Sequence, residues 1–190
     1  MARRFLVLYG TTDGQTRKIA AAIADEFRAF GDEVDVANAK RPHPPIRPDD
    51  YLAVVVAGSV HAGGYQKSVR RWVRAHRDGL ASRPTAFVSV CMGVVEHNPT
   101  TDRELDRILT RFFEKTGWRP TMTKIVAGAL PFTKYNWLKR RVMLRIVRKQ
   151  MGSNVDTRRD YEYTDWNDLK AFARDFRHRV VPQETLRQAG

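Results

Sequence analysis

Five short apolar runs alternate with helical stripes along this chain, and no other feature restricts its fold so tightly. Residues 5–9, 33–37, 52–58, 85–91 and 124–129 are mostly rich in Val, Leu and Ile and are bounded by Gly, Pro or polar residues, as strands buried on both faces of a parallel sheet are. Between them, Ile19, Ile23, Ala24 and Phe27 make one apolar helical stripe closed by Gly31, and Val69, Trp72, Val73 and His76 make a second. Leu105, Ile108, Leu109, Phe112 and Phe113 follow the i, i+3, i+4, i+7, i+8 pattern behind a capping box of Thr101 and Glu104, with Gly117 at the end. A last helix is expected from about 165 to 178, with Trp166, Leu169, Phe172, Ala173 and Phe176 inward. Alternation of this kind predicts an α/β, doubly wound parallel sheet.

A length of 190 residues with 42% hydrophobic content suits one domain over 1–190 with a sizeable core. The single Cys91 cannot form an internal disulfide and has no zinc-ligand neighbours, which fits a reducing compartment and leaves no metal site expected. The opening Met-Ala-Arg-Arg-Phe-Leu is followed by too short an apolar run for an export signal, and the longest apolar stretch, 52–58, falls far short of the roughly 20 residues that span a bilayer. A cytoplasmic location is therefore expected. Residues 42–48 hold four prolines and read as an extended connection.

Net charge is +13, and most of the excess sits in one block: residues 115–155 contain ten Lys or Arg and no Asp or Glu. Such a block attracts anionic lipid, nucleic acid or an anionic substrate. It overlaps an insertion at about 130–161 that interrupts the alternation, in which Tyr135, Leu138, Val142 and Ile146 fall on one stripe of an expected basic amphipathic helix. No helix-turn-helix, zinc or ribonucleoprotein signature accompanies the charge, and cations interleaved with apolar residues suit lipid better than nucleic acid, so no nucleic-acid partner is expected.

The first strand runs into Gly10-Thr11-Thr12-Asp13-Gly14-Gln15-Thr16 and then a helix, which turns backbone N–H groups and hydroxyls toward an anion at a helix N-terminus. A phosphate monoester fits such a loop. Neither a Gly-Lys-Ser/Thr element nor a GxGxxG fingerprint is present, so triphosphate and dinucleotide sites lose their signature. In a doubly wound sheet two more loops lie beside the first, outside the C-terminal strand ends. One offers Ser59, His61, Gly63 and Tyr65, with glycine for close approach and an aromatic able to stack on a flat ring; the other offers Ser89, Cys91, Met92 and Gly93.

The first loop resembles the flavodoxin FMN-phosphate signature Thr/Ser-x-Thr-Gly-x-Thr at Thr11, Gly14 and Thr16, with Asp13 where that pattern has Thr. Asp13-Gly14-Gln15-Thr16, Ala127-Gly128-Ala129-Leu130, Tyr135-x-Trp137, Asp156-Thr157-Arg158 and Tyr163-Thr164-Asp165-Trp166 together resemble the quinone-dependent protoporphyrinogen dehydrogenases of bacterial haem synthesis, over nearly the whole chain. That resemblance implies a flavodoxin-like sheet of order 2-1-3-4-5 and an FMN held by Thr11, Thr12, Asp13, Gly14, Gln15 and Thr16 together with the two neighbouring loops. It implies oxidation of protoporphyrinogen IX, with a menaquinone-like membrane quinone reoxidising the flavin, so that the flavin carries the redox chemistry and no catalytic side chain is expected. Tyr135, Trp137, Lys134, Lys139, Arg140, Arg141 and Arg145 are then expected to meet the substrate's propionates or an anionic membrane surface, with the protein peripheral on the inner face of the cell membrane. A homo-oligomer is allowed by this reading. The alternatives are a related flavoenzyme reducing quinones or other small molecules, deazaflavin-using forms included, and a flavodoxin-type electron carrier, whose usual acidic surface the +13 charge opposes.

Overall fold

The computed structural model describes residues 3–42, 45–61, 63–92, 99–137, 141, 144 and 156–182. Parallel strands β1 (Arg4–Gly10), β2 (Glu33–Asn38), β3 (Ala53–His61), β5 (Thr85–Cys91) and β6 (Met122–Ala127) pair in the order β2-β1-β3-β5-β6. Counted over these five alone, this is the expected 2-1-3-4-5 arrangement. Two-residue β4 (Gly64–Tyr65) folds back on the end of β3, and β7 (Ala129–Leu130) pairs antiparallel with β8 (Tyr161–Glu162) as a separate ribbon. The pairing with β4 carries β3 on to His61, three residues past its expected end. The last parallel strand lies two residues earlier than expected, because Gly128 N donates to Cys91 O and the chain then leaves the sheet for β7.

Helices α1 (Gln15–Arg28), α2 (Lys67–Ala75), α3 (Arg77–Ala81), α4 (Pro99–Thr116) and α5 (Trp166–Val180) cover the sheet among the described residues. Gly31 and Gly117 follow α1 and α4 with φ of 79° and 68°, the left-handed conformation that ends a helix with little strain in glycine. Helix α4 starts at Pro99, so Thr101 lies inside its first turn instead of capping it; proline suits that position because its missing N–H would have no helical partner. Asp165 caps α5, accepting from the N–H of Asn167 and Asp168 at 3.0 Å each.

The sheet is buried on both faces, which is why its strands read as continuous apolar runs. Phe5, Val7 and Val55 face α1 and α5, against Ile23, Phe27 and Phe176. Leu6, Leu8, Val54 and Val56 face the opposite way, against Val69 and Trp72 of α2 and Phe112 of α4. Asp32 and Arg177, both buried, join at 2.9 Å and tie the end of α1 to α5.

Of the expected basic helix in the insertion, Trp137, Arg141 and Leu144 are described and helical, whereas Leu138, Lys139, Arg140, Val142, Arg145 and Ile146 lie outside the described residues. Tyr135 is not on that helix. It follows a 3-10 turn, Phe132–Lys134, with extended backbone, and its ring packs on Phe132. Among the described residues no helix is long and apolar enough to cross a membrane.

The end of β1 sets the height of the loop that follows it. A β-carbon on Gly10 would overlap the Val69 side chain of α2, so only glycine lets strand and helix approach so closely. Gly10→Ala is expected to lower stability by about 1–3 kcal/mol, the range for an overpacked core, read as a fall in the urea midpoint; an unchanged midpoint would show that α2 yields freely.

Candidate functional site

The ends of β1, β3 and β5 lie side by side at the point where the chain leaves β1 toward β2 on one side and β3 on the other. Crevices at such a reversal are where open α/β sheets bind ligands. A cleft there is lined by Thr11, Asp13, Gln15 and Thr16 from the first loop, Ser59, Val60 and His61 from the second, and Val90, Cys91 and Met92 from the third. Gly128, Ala129, Leu130 and Tyr135 close its remaining side.

The first loop is shaped for an anion. Gly14 sits at φ 98° and precedes α1 with no side-chain cap, while its N–H donates to Thr11 Oγ1 at 2.8 Å. The 14-residue α1 has no acidic residue in its first turn, and the nearest carboxylate, Asp13, precedes the helix on the cleft wall. Thr16 is fully buried, lines the cleft, and its hydroxyl has no hydrogen-bond partner among the described residues. A buried hydroxyl without a partner costs roughly 1–3 kcal/mol, and an oxygen of a bound phosphate would satisfy it. The chemistry present therefore fits a phosphate-bearing cofactor held by Thr11, Gly14 and Thr16.

Gln66, which no motif marks, joins the first loop to the second. Its Nε2 donates to Ser59 Oγ and, at 3.4 Å, to Thr12 Oγ1, and its Oε1 accepts from Ser59 N. Nothing in its spacing could have identified it, because the contact depends on α2 beginning directly under the phosphate loop.

Several expected positions fall elsewhere. Tyr65 and Ser89 are not among the residues lining the cleft: the phenol bonds Ser89 Oγ at 2.7 Å, and the Tyr65 ring meets Phe87 and Phe112 edge-on in the core beneath α2 and α4. That burial raises the Tyr65 phenol above its ordinary range. The alternation of β4 directs Tyr65 inward, where the large aromatic adds more by covering the sheet than by standing at the rim. Gly63, at φ 73°, forms the turn between β3 and β4 and does not line the cleft. Gly93 lies outside the described residues. His61 is exposed on the rim, and Cys91 is buried in the wall.

Gln15 lines the cleft, but its side chain is engaged with the late part of the chain. Its Nε2 donates to Thr164 Oγ1 at 2.9 Å, and that hydroxyl donates to Ala127 O at 2.8 Å. Tyr135 is the aromatic in the cleft wall, and its hydroxyl donates to Asp13 Oδ2 at 3.3 Å. Burial, with the Asp13 carboxylate beside it, raises the Tyr135 phenol above its ordinary range and keeps the donated proton in place.

Lys134 lines a second recess on the far side of Asp13, with Lys18, Asp160 and Glu162. Asp160 accepts from Thr133 N and Oγ1 and its carboxyl is lowered by those bonds, which anchors the 3-10 turn. In the Asp156-Thr157-Arg158 motif, Asp156 Oδ1 accepts from Arg158 N at 2.9 Å and Asp156 N donates to the Tyr161 hydroxyl at 3.0 Å, a local turn that supports β8. Trp137 is 74% exposed, and Arg141 is exposed as well; Lys139, Arg140 and Arg145 lie outside the described residues. Among the described residues no group of His, Cys, Asp or Glu is arranged to hold a metal ion.

Comparison with known proteins agrees with this geometry. A family described as a flavodoxin domain matches residues 6–157. The protoporphyrinogen IX dehydrogenase [quinone] of Escherichia coli strain K12 is 35% identical over 182 residues, covering 96% of this chain and 98% of that one. The protein of the same name from Leishmania major is 31% identical, over 90% of this chain and 73% of its own length. Among solved structures, a short-chain flavodoxin associated with a non-canonical PDU bacterial microcompartment superposes with a TM-score of 0.54 at 14% identity, covering 94% of this chain and 99% of that one. A flavodoxin from the domain Archaea gives 0.52 at 12% identity, covering 93% and 98%. The two structural matches establish the shared fold.

Proposed function

Because the chain belongs to the flavodoxin domain family, we propose that it oxidises protoporphyrinogen IX to protoporphyrin IX, with FMN as cofactor and a membrane quinone as electron acceptor. The family implies a flavin. The observation that carries the full reading is that the segments resembling the dehydrogenases outside the phosphate loop border the cofactor cleft: Gly128, Ala129, Leu130 and Tyr135 line it, and Thr164 bonds Gln15. Relatives of nearly the same length and 35% identity carry that activity in their name.

When bound, the flavin supplies the two-electron redox chemistry. Overall, six electrons and six protons leave the porphyrinogen and three quinones depart as quinols. The chain's own work is binding and orientation. Thr11, Gly14 and Thr16 hold the phosphate; Val60, His61, Cys91 and Met92 border the space for the ring; Lys134 and Arg141, with Lys139, Arg140 and Arg145, attract the substrate's propionates; and the exposed Trp137 offers an apolar face to the tetrapyrrole or to lipid.

A membrane quinone requires access to a bilayer, and α2 supports a location on its cytoplasmic side. Lys67, Arg70, Arg71 and Arg74 lie at i, i+3, i+4 and i+7, around one recess that contains no acidic residue. Like charges at these spacings destabilise a helix by about 0.2–0.5 kcal/mol per pair, and an anionic lipid surface offsets that repulsion. Replacing Arg70, Arg71 and Arg74 together with Gln is expected to weaken binding to phosphatidylglycerol-containing vesicles while flavin stays bound. Undiminished sedimentation with the vesicles would reject the role of α2.

Anaerobic addition of protoporphyrinogen IX to the FMN-loaded protein is expected to bleach the flavin bands as porphyrin forms, and a short-chain menaquinone analogue to restore them. Bands that stay oxidised would remove the substrate from the reading. Thr16→Val is expected to leave the free protein equally or more stable, since an unpaired buried hydroxyl is removed, and to weaken FMN binding about tenfold in a fluorescence titration. Unaltered FMN affinity would exclude Thr16 from the phosphate site.

A further inference from the structure

Three residues of the phosphate loop and the start of α1 reach across to the late part of the chain. Asp13 accepts from Tyr135, Gln15 donates to Thr164, and Lys18 pairs with Glu162 at 2.8 Å. The second and third contacts suffice as struts, one buried and neutral, the other an exposed ion pair. Asp13 is different. A carboxylate on the wall of an anion site opposes a bound phosphate, and a Thr at this position, as in the flavodoxin signature, would accept from Tyr135 without adding negative charge.

Asp13 lines the cofactor cleft on one side and, on the other, the recess that holds Lys18 and Lys134. How far its carboxylate stands from Thr11 and Thr16 therefore decides how much repulsion a phosphate meets, and the carboxylate is bonded to Tyr135, which lines the cleft and not the recess. Tyr135 is well placed to control it, being 6% exposed and held edge-on against Phe132, so that its hydroxyl has little freedom to follow a moving partner.

We infer that Asp13 and Tyr135 are a specificity-determining pair for the phosphate-bearing form of the flavin: the tyrosine hydroxyl holds the carboxylate toward the insertion, and the phosphate is bound tightly only while that hydrogen bond is made. Occupancy of the phosphate loop and docking of residues 131–137 are then coupled, because both depend on the same carboxylate position. This rests on the FMN reading of the cleft. It gives the departure from the flavodoxin signature at Asp13 a purpose.

The test is a double-mutant cycle on binding, with FMN and riboflavin as ligands, since the two differ only by the phosphate. Dissociation constants are read from flavin fluorescence quenching for the wild type, Tyr135→Phe, Asp13→Asn and the double variant, and thermal unfolding checks that each is folded. Tyr135→Phe is expected to weaken FMN about tenfold, in line with the loss of a hydrogen bond to a charged group, and to change riboflavin by less than about twofold. Asp13→Asn is expected to tighten FMN, and in that background Tyr135→Phe is expected to have little further effect on FMN. Equal weakening of both flavins by Tyr135→Phe would make the tyrosine a packing residue and overturn the pair. The same FMN loss with and without the Asp13 charge would also overturn it. Failure of the folded wild type to bind either flavin would remove the FMN reading and the pair with it, whereas riboflavin and FMN binding that respond alike to every variant would remove the pair alone.

Discussion

Parallel strand pairing on both sides of Arg4–Gly10 governs the rest of this molecule, because a strand with neighbours at each edge and helices on each face has no exposed surface except at its ends. Phe5, Leu6, Val7 and Leu8 are all fully buried. The polar work of the chain is thereby confined to the loops beyond the C-terminal strand ends, and the loop of Thr11, Gly14 and Thr16 follows directly from a strand paired along both edges. Gly10 transmits that constraint, since its close contact with Val69 sets the loop on α2 as well as on β1.

The loop itself combines a rigid frame with unsatisfied chemistry. Gly14 and Thr11 fix its shape through a backbone-to-hydroxyl bond, and Gln66 braces Thr12 and Ser59 from below. Against this frame the buried Thr16 hydroxyl has no partner among the described residues, and α1 begins without a side-chain cap, a cost that a bound oxyanion would offset. Gly128, Ala129, Leu130 and Tyr135 then close the remaining side of the cleft, and Thr164 braces it through Gln15.

Much of this was legible in the chain. Val- and Leu-rich runs with glycines after their helices specify buried parallel strands and helix ends through local rules, and Gly31, Gly117 and Asp165 behave as those rules require. The loop between β1 and α1 was readable as a turn with hydroxyls and glycine at a helix N-terminus, because those residues are adjacent in sequence. Tyr65, expected beside a flavin ring, and Tyr135, expected to meet substrate or membrane, take their places from tertiary structure. Both are tyrosines in glycine-bounded or polar segments, and only the turn of β4 sends one into the core while the 3-10 turn anchored by Asp160 brings the other to the cleft.

The sequence by itself determined the layered sheet, the hydroxyl-rich loop that follows its first strand and the surplus of positive charge, since each follows from periodicity, adjacency or composition. Tertiary structure alone decided which side chains wall the site. Asp13 meets Tyr135 across 122 positions and Gln15 meets Thr164 across 149, and contacts of such separation depend on where the sheet ends and the late ribbon crosses, which no local pattern encodes.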